Sequence, residues 1–196
     1  MPIERERLRQ LIDRHCLIAG PEFTLSTGQK SRFYFDCKGA TLDAEGLALI
    51  AEGFLEAIAA MPEQPQAIGG MTMGADFMVA ATLLLAHQRG LPLTFGSIVR
   101  KEPKKHGTMN KVENERPGNP RIVVVDDVIT SGASTLQACD ELEAAGYQVV
   151  GILAVVDRQA GGLQRLAARY PGCPVAALFN TADFPRLADV AQRAAA

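Results

Sequence analysis

Residues 121–135, RIVVVDDVITSGAST, limit the folds open to this chain more than any other stretch. Ile122, Val123, Val124 and Val125 are a β-branched run with no polar alternation, the pattern of a strand covered on both faces in a parallel sheet. Such a strand delivers its functional groups at its C-terminal end. There the chain places Asp126 and Asp127, then Thr130, Ser131, Gly132, Ala133, Ser134 and Thr135, then a helix with apolar positions Leu136, Cys139 and Leu142. A strand, a turn of hydroxyls and glycine, and a helix N-terminus form a socket for phosphate, because free N–H groups and the positive end of the helix dipole point into it. The adjoining carboxylates would repel bare phosphate unless they met another part of the ligand, such as sugar hydroxyls or a metal. The implied ligand is a phosphorylated sugar. Standing alone, Asp126 and Asp127 are also compatible with a simple turn and helix cap.

At 196 residues the chain is expected to form one α/β domain with a substantial core. A net charge of −2 gives no general attraction to nucleic acid or anionic membrane, so any polyanion site must be local. No apolar run reaches the length of a membrane span and MPIERERLRQ lacks a signal-peptide core, so a cytoplasmic protein is expected. Cys16, Cys37, Cys139 and Cys173 form no CxxC pair and are expected to be packing residues.

Taken in order, residues 3–18 carry Ile3, Leu8, Leu11, Ile12 and Ile18 on roughly one helical face, ended by Ala19, Gly20 and Pro21. Residues 23–26 and 32–37 are predicted as two short strands around Thr27, Gly28 and Gln29, a hairpin set apart from the parallel sheet like a hood. Composition alone is equally consistent with an edge hairpin bearing a half-exposed aromatic cluster. Helix spacing returns at Leu47, Ile50, Phe54, Leu55 and Ile58, with Asp43 as cap. Residues 66–69 are predicted as a short strand, and GGMTMGAD leads into an apolar helix reaching about His87. The glycine turn is a second anion site in principle. A strand over 93–99 gives way to RKEPKKHGTMNKVENERPGNP, a polar loop with Arg100, Lys101, Lys104, Lys105, His106 and Lys111. A bare charge run is ordinarily a solvated surface. This one joins two strands at the sheet end where ligands bind, and loops that long tend to be functional. Gly146 is expected to cap the helix after the signature, followed by a strand over 149–156 ending in Asp157, Arg158 and Gln159. A helix from Gly161 to about Tyr170, a strand over 175–179 and a helix over 182–192 complete the reading.

The stretch around Asp126 and Asp127 resembles the signature of the type I phosphoribosyltransferases: apolar strand, two acidic residues, then a Thr-Ser-Gly loop. It differs from the Walker loop, whose Gly-Lys-Ser/Thr ending is absent. The resemblance implies an open, mostly parallel sheet flanked by helices, with a small N-terminal hood formed mainly by residues 1–40. It also implies that Asp126 and Asp127 face ribose hydroxyls while Thr130, Ser131, Gly132, Ala133, Ser134 and Thr135 wrap the 5-phosphate. Met71, Thr72, Met73 and Gly74 would meet pyrophosphate through their backbone. FTLSTGQKSRFYFD is similar to the segment that opens orotate phosphoribosyltransferases and closes over the pyrimidine, which implies that Ser26, Tyr34 and Phe35 line the base pocket. RKEPKKHG resembles the catalytic loop of that family, which closes over the active site of the neighbouring subunit. Arg100, Lys101, Lys104 and His106 match it position by position, and the implied role of Lys104 is to stabilise the departing pyrophosphate. Arg158 in its Asp-Arg-Gln setting would pair with the base carboxylate, for which a guanidinium fork is suited. Three positions depart from the family: Arg32 stands where proline is usual, Ser26 where some members have lysine, and Lys105 where an acidic residue is usual.

The resemblance therefore implies an orotate phosphoribosyltransferase, joining orotate to phosphoribosyl pyrophosphate to give orotidine 5-phosphate and pyrophosphate in pyrimidine synthesis. It further implies magnesium held mainly by the substrate with no direct protein ligand, a homodimer, and no nucleic-acid or membrane partner. Two other readings stay open: a phosphoribosyltransferase for another base, and a non-catalytic phosphoribosyl-pyrophosphate sensor. The sensor would need a broad basic face or a DNA-binding helix pair, and neither is visible.

Overall fold

Strand and helix alternate along the chain, and the computed structural model describes residues 4–24, 30–102 and 111–187. Helix α1 (Arg5–His15) leads into strands β1 (Leu17–Thr24) and β2 (Lys30–Phe35), then helices α2 (Lys38–Thr41) and α3 (Ala44–Ala59). Strand β3 (Ala67–Met71), helix α4 (Asp76–Gln88), and strands β4 (Phe95–Val99) and β5 (Val112–Glu113) follow. The C-terminal half holds β6 (Arg121–Ile129), α5 (Ala133–Ala144), β7 (Gln148–Asp157), α6 (Gly162–Arg169) and β8 (Val175–Asn180). The central sheet has six strands in the order β5-β4-β3-β6-β7-β8, and β1 and β2 form a separate antiparallel pair. Every pairing in the central sheet is parallel except β4 with β5. The architecture is the expected open, mostly parallel sheet flanked by helices.

Strand β6 lacks polar alternation because it is covered on both faces. Val123 and Val125 join the core beneath α3 and α4, while Ile122 and Val124 join the core beneath α5 and α6. Burying four such side chains stabilises the fold by about 1.5–3 kcal/mol each before entropy is counted. Gly70 lets β3 lie close to β6: a Cβ there would stand 2.2 Å from the Val125 carbonyl oxygen. Local signals set the helix ends. The Asp43 side chain accepts the Gly46 N–H at 2.8 Å to start α3. Helix α5 stops where Gly146 takes a φ of +85° and the Tyr147 N–H reaches back to the Leu142 carbonyl at 3.0 Å.

The structure departs from the sequence reading in several places. Helix α1 ends at His15, and Ile18, Ala19, Gly20 and Pro21 belong to β1. Pro21 has no N–H for a ladder, and the β1–β2 register shifts between Ala19 and Phe23, which accommodates it. Strand β6 runs on through both aspartates, so they lie within the strand: Asp126 stands opposite Ala154 of β7. The polar segment after β4 contains β5, too short to leave a periodic trace in sequence. The last strand is followed by a 3-10 turn (Thr181–Asp183), and the end of the helix expected over 182–192 lies outside the described residues. Cys16, Cys37 and Cys139 are buried, Cys173 is partly so, and all four are free thiols. Among the described residues no helix is long and apolar enough to cross a membrane.

Candidate active site

The β6–α5 turn draws its two carboxylates and its hydroxyls into one unit. Asp126 is 6% exposed and its Oδ2 accepts the Thr135 hydroxyl at 2.6 Å and the Ser134 hydroxyl at 3.2 Å. Its other oxygen accepts the Asp127 N–H at 3.0 Å, and Asp127 Oδ1 in turn accepts the Val128 N–H at 2.8 Å. Burial, reinforced by the neighbouring Asp127 charge, pushes the Asp126 carboxyl up to about 6, and the hydroxyl hydrogen bonds only partly offset this. Gly132 takes a φ of +73°, open to glycine, and a Cβ there would meet the Gly162 carbonyl at 3.1 Å. The first helical bond of α5 runs from the Leu136 N–H to the Gly132 carbonyl at 2.9 Å. The N–H groups of Ala133, Ser134 and Thr135 precede that ladder and, with the helix dipole, favour an anion. The Thr135 hydroxyl is already committed to Asp126, so this residue can offer a ligand only its main chain.

A cleft of about 250 Å³ opens at the C-terminal ends of β3 and β6, lined by Lys38, Thr41, Met71, Thr72, Met73, Gly74, Lys101, Asp126, Asp127, Val128 and Ser134. Such a crevice beyond the strand ends is where open α/β sheets bind ligands. Gly74 lets the turn after β3 approach the acidic pair: a Cβ would sit 3.1 Å from Asp126 Oδ1 and 3.1 Å from Asp127 Oδ1. The Thr72 N–H is held by the Val99 carbonyl at 2.8 Å, and its hydroxyl donates to Asp76 Oδ1 at 3.1 Å. The Thr72–Met73 peptide is cis. The exposed Met73 side chain brings no charge to the cleft. Among the described residues no group of three or more His, Cys, Asp and Glu side chains is arranged to hold a metal ion.

Of the predicted residues, Met71, Thr72, Met73, Gly74, Lys101, Asp126, Asp127 and Ser134 share this cleft. Arg100 stands at the foot of the basic segment, with Nη1 3.2 Å from Glu113 Oε1 and its N–H bonded to the Lys111 carbonyl at 2.8 Å. Lys111 itself pairs with Glu141 of α5. Lys104, Lys105, His106 and Ser26 lie outside the described residues. Arg158 emerges at the end of β7, and its N–H is bonded to the Ile129 carbonyl at 2.9 Å. Its guanidinium stacks 4.6 Å over the Phe33 ring and donates to the Phe33 carbonyl at 3.4 Å, joining the β6–β7 end to the hairpin. Burial lowers its pKa.

Phe35 and Tyr34 stand on opposite faces of β2. Alternation along β2 turns the Phe35 ring into the core, 5.2 Å from Phe184, whereas Tyr34 is 40% exposed and rests 6.1 Å from Phe23. Phe33, absent from the sequence candidates, is the aromatic that meets Arg158. Lys38 and Thr41 were also missed as cleft residues. Their only sequence signal is position, directly after a hairpin whose return to the sheet end is visible only once the chain is folded.

Residues 45–173 match the model of the phosphoribosyl transferase domain family. An orotate phosphoribosyltransferase of Thermosynechococcus vestitus is 43% identical over 180 residues, covering 91% of this chain and 92% of that protein. One from Sorangium cellulosum is 41% identical over 184 residues, covering 92% of this chain and 93% of that protein. Among solved structures, orotate phosphoribosyltransferase of Mycobacterium tuberculosis H37Rv in complex with 5-phospho-alpha-D-ribosyl 1-diphosphate superposes with a TM-score of 0.73 at 30% identity, covering 91% of this chain and 97% of that one.

Proposed function

The chain belongs to the orotate phosphoribosyltransferases of the phosphoribosyl transferase domain family, and from that premise we propose how its own residues carry the transfer. The observation that carries this reading is the cleft in which the turn after β3, the Asp126–Asp127 pair and the start of α5 converge. The 5-phosphate of phosphoribosyl pyrophosphate, the ligand held by the Mycobacterium tuberculosis relative, sits at the α5 N-terminus. There it meets the N–H groups of Ala133, Ser134 and Thr135 and the turn residues Thr130, Ser131 and Gly132. Asp126 and Asp127 hold the ribose hydroxyls. The pyrophosphate faces the main chain of Thr72 and Met73.

The bond between the anomeric carbon and pyrophosphate breaks, the bond to the orotate ring nitrogen forms, and the nitrogen's proton is released. Positive charge builds on the sugar and negative charge on the leaving group, so orientation and cations near the pyrophosphate accelerate the step. Lys101, Lys104 and His106 supply those cations, with Arg100 fixing the base of their segment. Arg158 receives the orotate carboxylate, supported by its half-buried position against Phe33 and beside Tyr34 and the hairpin. Ser26 and the main chain at Phe35 complete the base side. Magnesium, when bound, neutralises pyrophosphate charge, and Asp126 and Asp127 are the residues that would hold it through the substrate.

The reading includes one domain whose hood is residues 1–40, and a homodimer in which the 100–116 segment reaches the neighbouring site. Helix α4 supports a partner copy: its sequence DFMVAATLLLAHQ is apolar nearly all round, and Leu84 stays 61% exposed. Four free cysteines support a reducing, cytoplasmic location. The test is an absorbance assay of purified protein with magnesium, phosphoribosyl pyrophosphate and orotate, repeated with uracil, hypoxanthine and adenine. Orotate consumption that needs every component supports the reaction and the base together. Binding of phosphoribosyl pyrophosphate without turnover of any base would replace it with a sensor.

A further inference from the structure

The wall of the cleft carries a lysine that the mechanism above does not use. Lys38 is the first residue of α2, directly after β2, so it is anchored on the hairpin side and faces the same space as Thr72, Met73, Gly74, Asp126 and Asp127. The turn opposite has no charge of its own. The Thr72 hydroxyl is engaged with Asp76, Gly74 leaves no room for a side chain beside the carboxylates, and Met73 is a neutral thioether. A pyrophosphate lying on that turn would have two carboxylates beside it and only N–H dipoles beneath it. Among the described residues lining the cleft, the cations are Lys38 and Lys101, and Lys101 opens the basic segment that the family uses across subunits.

We propose that Lys38 is the same-subunit cation for the pyrophosphate of phosphoribosyl pyrophosphate, supplying the charge that the 72–74 turn lacks. The inference rests on the function proposed above. Asp36 holds the lysine ready: its Oδ1 takes Lys38 Nζ at 2.7 Å and the Lys38 N–H at 3.2 Å. Asp36, and more weakly Asp127, are the carboxylates that favour its charged form. The side chain is 48% exposed, so leaving this pair for a more highly charged anion costs little. A lysine–aspartate pair on an open surface would imply nothing of the kind. Here the pair stands across the cleft from an uncharged anion turn.

The experiment compares wild type with Lys38→Met, Lys38→Gln and Lys38→Arg, measuring KM for phosphoribosyl pyrophosphate and for orotate. A separate calorimetric titration with magnesium pyrophosphate measures its Kd. Losing one charge-assisted hydrogen bond should raise the phosphoribosyl pyrophosphate KM and the pyrophosphate Kd by about 10- to 100-fold in Lys38→Met and Lys38→Gln. Orotate KM should stay within about twofold, and Lys38→Arg should recover most of the loss, as expected of a cation contact. Unchanged pyrophosphate affinity in both neutral variants, or an equal rise in orotate KM, overturns the assignment. Absence of turnover in wild type would sink the underlying function instead, and the pyrophosphate titration would still report on Lys38 alone.

Discussion

Replacing Asp126 by asparagine should stabilise the protein at alkaline pH and cease to do so in acid. The carboxyl is 6% exposed and, with Asp127 beside it, is pushed up to about 6. In an unfolded chain an aspartate ionises about two units lower. Across that window the folded state binds the proton more tightly than the unfolded one, so stability falls as pH rises through it. Above the window the folded chain carries the full cost of ionising Asp126, about 3 kcal/mol. Asparagine removes the charge but turns one acceptor into a donor, so the Thr135 and Ser134 hydroxyls must re-aim, at a cost of about 1 kcal/mol. The net gain at pH 8 is about 2 kcal/mol, or about 4–8 °C in Tm for a chain of this size. At pH 4 the gain is gone and the hydrogen-bond loss of about 1 kcal/mol remains. Thermal unfolding of both proteins followed by circular dichroism at pH 8, 6 and 4 checks this, while turnover of the variant should collapse throughout. A stability gap that does not change with pH, or a variant weaker than wild type at pH 8, would refute the reasoning.

Gly70→Ala should cost about 3 kcal/mol or more, since its Cβ would lie 2.2 Å from the Val125 carbonyl and 2.7 Å from the Ala75 Cβ; an unchanged urea midpoint would contradict the close β3–β6 contact. Arg158→Ala should raise KM for orotate by about 10- to 100-fold through loss of a charge-assisted pair, with KM for phosphoribosyl pyrophosphate held within about twofold. Equal rises in both would make Arg158 a structural side chain. Lys104→Ala should lower kcat by about 100- to 1,000-fold while the Kd for phosphoribosyl pyrophosphate scarcely moves, because its charge is needed chiefly in the transition state. A variant with full turnover would remove Lys104 from the mechanism.

Where a signal is local, sequence was enough to find it. The Ile122, Val123, Val124, Val125 run needs no partner to announce a strand covered on two faces, and Asp43 before α3 or Gly146 after α5 is a capping signal within one turn of chain. The acidic pair was legible for the same reason. Orientation across the hairpin was not. Pleat parity separates Tyr34 from Phe33 and Phe35, and which of those two same-face rings meets Arg158 is set by their place along a hairpin whose pairing with β1 is irregular. Helix periodicity misassigned Ile18, because the apolar Cys16, Leu17 and Ile18 after His15 fit either a further helical turn or the first residues of a strand. Lys38 and Thr41 stayed hidden because nothing in residues 38–41 marks them as facing a turn some thirty positions away; the fold alone brings them there.

The short β4–β5 ladder separates the sheet from whatever lies between its two feet. Ile98 pairs with Glu113 and Val99 with Val112, and the Arg100 N–H closes on the Lys111 carbonyl, so the hydrogen bonds that fix register involve only the two ends of the basic segment. That makes the segment an interchangeable cassette. Doubling its length would cost only about 0.6 kcal/mol in closure entropy, and its residues can be exchanged without moving β6 or the aspartates on it. The segment can therefore be altered by insertion, deletion or substitution while the sheet that carries Asp126 and Asp127 keeps its register.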